Sequence, residues 1–427
     1  MADKMQICNI SENNFEQCTK CSICTTVCPV AAVTTDYPGP KQAGPDGERY
    51  RLKDPAYYDK MLKLCLNCKR CEVACPSGVH IADIIQSARM KAGEGKRASL
   101  RDTMLANTDL LGMVANKVAP LANATLGLAP TKLVMHSVMA IDKHRTFPAY
   151  SRTKFETWFK RHAQSSQDAY SKHISYFHGC YVNYNFPKLG QDLVKLMNAM
   201  GYGVHLLDKE QCCGVALIAN GLYKQAKRQG RVNAASIRQA VNTDYRTVLT
   251  TSSSCTFNLR DEYPAILGID TRDVRDNIML ATRFIYRLID EEKVKLVFKK
   301  DYQRRIAYHT ACHMQRMGWQ LYSIELLRMI PGLTSRNWSR SAAASRAPMV
   351  SRRRTSSAPR PSVRCCSSTL PTPRSRPWLP TARPASGRSR CQRGCLSKIP
   401  SASLPMPSMW KPPARQTDYN TITYHIN

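Results

Sequence analysis

The run Cys18-x-x-Cys21-x-x-Cys24-x-x-x-Cys28-Pro29 recurs almost residue for residue as Cys65-x-x-Cys68-x-x-Cys71-x-x-x-Cys75-Pro76. A small, loop-rich lobe built on two such runs is held together by what its thiolates bind. Three thiolates spaced by two residues can each reach a different iron of one cubane, and the fourth leaves that corner to ligate the other cluster. The two sets are therefore Cys18, Cys21, Cys24 with Cys75, and Cys65, Cys68, Cys71 with Cys28, one [4Fe–4S] cluster each. Proline after the fourth cysteine fixes φ and removes a donor, which turns the chain away. Zinc also takes Cys-x-x-Cys pairs, but it does not explain a duplicated four-cysteine run with proline at the same place.

A chain of 427 residues has room for two or three domains. It contains no uninterrupted apolar run long enough for a transmembrane helix, and Met1 to Asn9 lack the features of a signal peptide. Its 18 cysteines then point to metal ligation in a reducing cytoplasm rather than to disulfides. The net charge of +32 suggests nucleic acid until it is located. Residues 334–427 hold 17 Lys and Arg and a single acid, Asp418, so half of the excess sits in less than a quarter of the chain. A basic zinc protein that binds nucleic acid rests on charge alone, and no nucleic-acid partner is expected.

The pattern predicts a mixed α/β chain. Residues 1–95 form a helical, ferredoxin-like two-cluster domain, whose Tyr37–Glu48 connection reads as ordered loop and whose Ile81–Met90 segment reads as helix. Residues 96–170 form a helical linker rich in Leu, Val and Met, with Lys117, Lys132, Lys143, His144 and Arg145 as a basic edge. Helices on an anionic membrane surface are one reading; an apolar stripe covering the next domain is the favoured one. From 171 to 300 short β-rich runs (Ile174–Phe177, Thr247–Thr250) alternate with helices such as Gly190–Met200, and a second unit starts at 301–333 with Arg305–Tyr308.

Cysteines sit where these runs end, the place where α/β sheets put ligands. Cys180, the adjacent Cys212 and Cys213 of a Cys-Cys-Gly motif, and Cys255 form a four-thiolate set. Neighbouring thiolates suit different irons of a third cluster better than one zinc tetrahedron; buried structural thiols are the alternative. His178 and His309, each shortly before a cysteine, are turn histidines or tune a thiolate.

The segment Ser175-Tyr-Phe-His-Gly-Cys180 is echoed 132 residues later by Ala307-Tyr-His-Thr-Ala-Cys312. Cys312 is thus the first ligand of a second, truncated copy, whose own Cys-Cys-Gly is missing near position 343. From about Thr334 the text turns into Arg/Ser/Pro-rich sequence with 13 of the 25 prolines, which reads as a disordered basic tail. Read one base earlier, codons for Ser341–Ser351 can encode Gln-Cys-Cys-Gly-Ile-Ala-Gly-Thr-Tyr-Gly-Phe. The same shift over Pro380–Arg388 gives Thr-Asp-Cys-Glu-Thr-Cys-Lys-Trp-Gln, so the expectation is a chain out of frame from about residue 334. Cys365, Cys366, Cys391 and Cys395 are then not ligands.

The two cluster runs, Tyr37-Pro-Gly-Pro-Lys-Gln-Ala-Gly-Pro-Asp-Gly-Glu-Arg, Phe177-His-Gly-Cys-Tyr-Val-Asn-Tyr-Asn and His309-Thr-Ala-Cys-His-Met resemble the iron–sulfur, C-subunit family of anaerobic glycerol-3-phosphate dehydrogenases over residues 10–333. The cluster motifs are shared with iron–sulfur subunits of glycolate or lactate oxidases and heterodisulfide reductases, which give the alternative reading. The resemblance implies a non-catalytic electron-transfer subunit, peripheral on the cytoplasmic face of the inner membrane. It would take electrons from flavin-containing catalytic subunits that oxidise glycerol 3-phosphate and pass them to menaquinone during anaerobic growth. No Gly-x-Gly-x-x-Gly follows a strand, so the residues do not indicate a bound flavin or nicotinamide.

Overall fold

The computed structural model describes residues 14–338, without 58, 94–97, 245, 293, 300 and 301, together with 423–425. In the first cysteine run the backbone takes positive φ at Lys20 and Ser22 and then makes the one-turn helix α1 (Ile23–Thr26). The connection between the runs, expected as loop, is instead largely helical: a π-turn over Gln42–Asp46 leads into α2 (Gly47–Lys53). Pro45 has no N–H for a tighter turn, and the wide turn accommodates it. The second run repeats the first, with positive φ at Asn67 and Lys69 ahead of α3 (Arg70–Val73). A left-handed non-glycine residue costs about 1–2 kcal/mol. Two at matching places in each run mark a backbone shaped around a guest.

Helix α4 (Ile81–Gly93) buries Ile81, Ile84, Ile85 and Ala88 against this lobe. Four helices follow: α5 (Leu100–Ala106), α6 (Thr108–Lys117), α7 (Ala119–Gly127) and α8 (Ala129–Met139). The stripe expected to cover the next domain does not do so. Burial falls on small residues, Ala106, Gly112 and Ala119, because backbone rather than side chain makes the contact: a Cβ on Gly112 would stand 2.4 Å from the Tyr184 ring. The large apolar residues point outward, Val138 at 78 % exposure, and α8 buries nothing.

After α9 (Phe155–His162), a parallel sheet is built from β1 (Lys172–Phe177), β2 (Tyr202–Leu206), β3 (Thr247–Thr250) and β4 (Ile278–Leu280) in the order β2–β1–β3–β4. Tyr176 stands opposite Leu206 on one side and Leu249 on the other. The crossovers are α10 (Gly179–Tyr184) with α11 (Pro187–Ala199), then α12 (Val215–Ala219) with α13 (Tyr223–Asp244), then α14 (Ser253–Phe257) with a π-turn over Asn258–Leu267. Alternate strand residues serve two cores, as a parallel sheet covered on both faces requires. Ile174, Tyr176, Leu249 and Met279 meet α9, α11 and α15 (Ala281–Asp290), while Phe177, Val248 and Ile278 meet α13 and Tyr263.

The second unit keeps its first strand. β5 (Lys295–Val297) pairs with Thr423–His425, and β6 (Arg304–His309) leads to α16 (Cys312–Met317) and α17 (Gln320–Arg328), then pairs in parallel with β7 (Leu333–Trp338). Of the expected tail, 334–338 thus extend β7 and 423–425 are strand. The remainder, with Cys365, Cys366, Cys391 and Cys395, lies outside the described residues, as does Met1 to Asn9. Among the described residues no helix is long and apolar enough to cross a membrane.

Candidate metal centres

The fourth cysteine of each run lies beside thiols of the other run. Cys24 is buried within electrostatic reach of Cys18, Cys21 and Cys75, and the Cys75 sulfur accepts from the Val79 amide at 3.4 Å. Cys28, Cys65, Cys68 and Cys71 line one small cavity together with Tyr37 and Ile85. Burial pushes the Cys28, Cys65 and Cys71 thiols above the usual range, and Cys68 up to about 12. Thiols of this kind stay protonated on their own and give up the proton to a bound cation. The amides of Val30 and Ala31 favour the Cys28 thiolate, that of Asn67 favours Cys65 and that of Arg70 favours Cys68. The described cysteines are all free thiols. Four convergent sulfurs with amides turned to them fit a cubane cluster. The first set lies nearer the surface, with Cys21 and Ile23 exposed.

The third set forms at the carboxyl ends of β1, β2 and β3. Cys180, Cys212, Cys213 and Cys255 line a cavity of about 230 Å³, with the Cys180 and Cys212 sulfurs 3.8 Å apart. Gly179 has φ of +71°, and a Cβ there would stand 3.4 Å from the Cys255 sulfur. Each ligand loop is pinned. The buried Glu210 carboxylate accepts from the His178 and Gly179 amides at 3.2 and 2.7 Å, which ties the loop before Cys180 to the loop before Cys212. Asn233 Nδ2 donates to the Gln211 and Cys212 carbonyls at 3.1 and 3.3 Å, and Tyr263 donates to that of Cys213 at 3.1 Å. The Cys180 and Cys212 sulfurs are in hydrogen-bonding contact, Thr108 Oγ1 donates to Cys212 at 3.2 Å, and sharing of protons within the set holds Cys212 well below the usual thiol range while raising Cys180 and Cys213. His178 is driven down to about 4 by burial and is neutral beside Glu210. A wider cleft of about 1140 Å³ opens on Cys180 and Cys212 and is bordered by Leu110 and Met113 of α6.

Cys312 is brought to the second set rather than the third: α16 packs on α3, His313 Nε2 meets the Asn67 carbonyl at 3.0 Å, and Cys312 lies within electrostatic reach of Cys68. Sequence reasoning gave no role to the residues that join the cluster lobe to the sheet domain. Arg89 donates to the Cys65 carbonyl at 3.3 Å and to that of Ala219 at 2.8 Å, Tyr223 donates to Gln86 at 3.2 Å, and Gln86 Nε2 lies 3.9 Å from the Cys65 sulfur. Their only trace in sequence is charge and amide on an otherwise apolar helix face of α4.

Comparison with known proteins agrees with this division. Residues 14–79 match the family model "4Fe-4S dicluster domain" and residues 174–260 match "Cysteine-rich domain". The chain is 52% identical over 324 residues, covering 76% of this chain and 81% of the relative, to the C subunit of anaerobic glycerol-3-phosphate dehydrogenase from Escherichia coli K12. It is 22% identical over 350 residues to "Probable glycolate oxidase iron-sulfur subunit" of Bacillus subtilis 168, covering 76% of this chain and 76% of that one. With "Glycolate oxidase iron-sulfur subunit" of Escherichia coli K12 it shares 22% over 332 residues, 75% of this chain and 76% of the relative. No solved structure matches the chain significantly. The chain is an iron–sulfur protein with a dicluster lobe and a cysteine-rich domain.

Proposed function

Because the chain belongs to the C-subunit family of anaerobic glycerol-3-phosphate dehydrogenases, we propose that it conducts electrons, through its clusters, from flavin-containing partner subunits that oxidise glycerol 3-phosphate to menaquinone at the membrane. The observation that carries the reading is the convergence of Cys28 with Cys65, Cys68 and Cys71 on one cavity while Cys24 keeps company with Cys18, Cys21 and Cys75. These are the ligands of two [4Fe–4S] clusters, and Cys180, Cys212, Cys213 and Cys255 hold a third. Electrons enter at the exposed Cys21 side and leave from the cysteine-rich domain. Arg89 supports a connection between the lobe and the cysteine-rich domain, since it touches both Cys65 and the end of the helix that begins after Gly214.

The outward face of α6–α8 supports a peripheral seat on an anionic membrane. Leu121, Leu133, Val134 and Val138 are exposed, Lys117 and Lys132 flank them, and no acid occurs between Asp109 and Asp142. Apolar insertion with basic flanks is the chemistry of an interfacial helix. The cleft beside Cys180 and Cys212 meets this face at Leu110 and Met113, which suits a lipid-soluble acceptor.

Anaerobically purified chain should be brown and carry about eight irons for two cubanes, more when the third site fills. Glycerol 3-phosphate should reduce it only when the catalytic subunits are added. Colourless protein with stoichiometric zinc would end this reading.

A further inference from the structure

The Tyr37-Pro-Gly-Pro motif has no part in ligation, yet the structure places Tyr37 on the wall of the cavity formed by Cys28, Cys65, Cys68 and Cys71. Its side chain is 3 % exposed. The hydroxyl faces the Cys65 sulfur, with Cys28 and Cys71 as its other sulfur neighbours, and among the described residues it meets no oxygen or nitrogen acceptor in hydrogen-bonding geometry. A buried hydroxyl left without an acceptor costs roughly 1–3 kcal/mol, so its acceptor is the sulfur that lines this cavity, with Cys65 nearest.

The motif explains why the hydroxyl is aimed there. Gly39 has φ of +92° and lets the chain pass so close to α1 that a Cβ would stand 2.7 Å from Thr25 Cγ2. Gly44 likewise meets α4, where a Cβ would lie 2.8 Å from Ile81 Cγ2, and Arg51 Nη2 clasps the carbonyls of Ala43 and Gly44 at 3.5 and 3.4 Å. Two close approaches and a clasp fix the segment that follows Tyr37.

We propose that the Tyr37 hydroxyl donates a hydrogen bond to the sulfur shell of the cluster held by Cys28, Cys65, Cys68 and Cys71, and raises the reduction potential of that cluster alone. The inference rests on the ligand set proposed above. Reduction adds negative charge to a cluster, and a donor to its sulfurs stabilises the reduced state more than the oxidised one. A phenol ordinarily titrates at about pH 10, so it is a neutral donor at working pH. Gln86 Nε2, 3.9 Å from the Cys65 sulfur, is a second donor to the same thiol. Tyr37 is a positioning residue for electron flow, not a ligand.

The test is a redox titration of the reconstituted full chain followed by electron spin resonance, with the signals assigned through Cys21→Ser for the first cluster and Cys180→Ser for the third. Tyr37→Phe should keep the iron content and lower the midpoint of the second cluster only. Replacing Tyr37 with 3-fluorotyrosine, a stronger donor of nearly the same shape, should raise it. Should Tyr37→Phe fail to assemble, the fluorinated chain decides alone. A midpoint that stays put in the fluorinated chain, or two clusters moving together, overturns the proposal. Iron and sulfide analysis separates that outcome from failure of the ligand assignment, which would appear as missing clusters in the wild-type chain.

Discussion

Lys69 Nζ lies 3.4 Å from Glu262 Oε1, an ion pair buried on both sides that links the residue after Cys68 to the π-turn after α14. Lys69 is shared with Asp83, its hydrogen-bonded partner, and with Glu72 at 3.6 Å, and Asn67 Nδ2 donates to Glu262 at 2.7 Å. Burial would raise Asp83, but Lys69 outweighs it and holds the carboxyl at about 2. Removing one partner of a buried pair costs about 3–5 kcal/mol because the other charge stays behind.

Lys69→Met should therefore sit at the upper end of that range, since three carboxylates lose one ammonium. Glu262→Gln leaves the Asn67 contact satisfied and Lys69 still paired with Asp83 and Glu72, so it should cost less, about 1 kcal/mol. Anaerobic denaturant unfolding of the loaded chain measures both. Equal midpoints for Lys69→Met and wild type would show that this group does not hold the lobe to the sheet domain.

Removing the clusters should divide the chain in two. The lobe counts Cys24, Cys28, Cys65 and Cys71 among its buried residues, so much of its interior is ligand. The sheet has Tyr176, Val204, Leu249 and Ile278, which need no metal. After chelation under reducing conditions, hydrogen exchange should show the Ile81–Met90 amides losing protection while those of β1 and β3 keep theirs. Retained protection in α4 would contradict a ligand-built lobe.

These two halves were also unequally legible in sequence. Thiolate spacing is a local geometric code, and the four thiols that it groups as Cys28, Cys65, Cys68 and Cys71 line one cavity. The strands Thr247–Thr250 and Ile174–Phe177 were visible because β-branched and aromatic residues end at turns. β2 and β4 escaped because Tyr202-Gly-Val-His-Leu and Ile278-Met-Leu are too short or too mixed to show a period. The direction of the 100–139 helices was misread for another reason. A stripe records which face is apolar, and small residues such as Gly112 can make the contact while the Leu and Val side look elsewhere. Pairings across some two hundred residues, such as Lys69 with Glu262, leave no local signature.

The outward stripe gives a direct test of membrane seating. Leu133→Asp with Val138→Asp places two charges where both side chains are exposed. Stability should change by less than about 0.5 kcal/mol per site, while flotation with anionic vesicles should fall severalfold and become weaker still at high salt. Unchanged flotation would move the membrane contact off this face.

The codons around Leu333 should carry a one-base displacement. β7 still pairs with β6 from Leu333 to Trp338, so the second unit begins as the first does, and Cys312 stands beside Cys68 with no second Cys-Cys-Gly in the sequence after it. Cys312→Ser in the present chain should then leave its iron content unaltered, because Cys312 lacks the other three thiols of a site. Restoring the frame should supply Gln-Cys-Cys-Gly after β7 and raise the iron content by about four if the site takes a four-iron cluster, and Cys312→Ser in that chain should remove the gain. Resequencing provides the direct check: an undisplaced frame, with the basic tail translated as written, would refute the displacement, and an iron loss on Cys312→Ser in the present chain would show that this thiol already serves the second cluster.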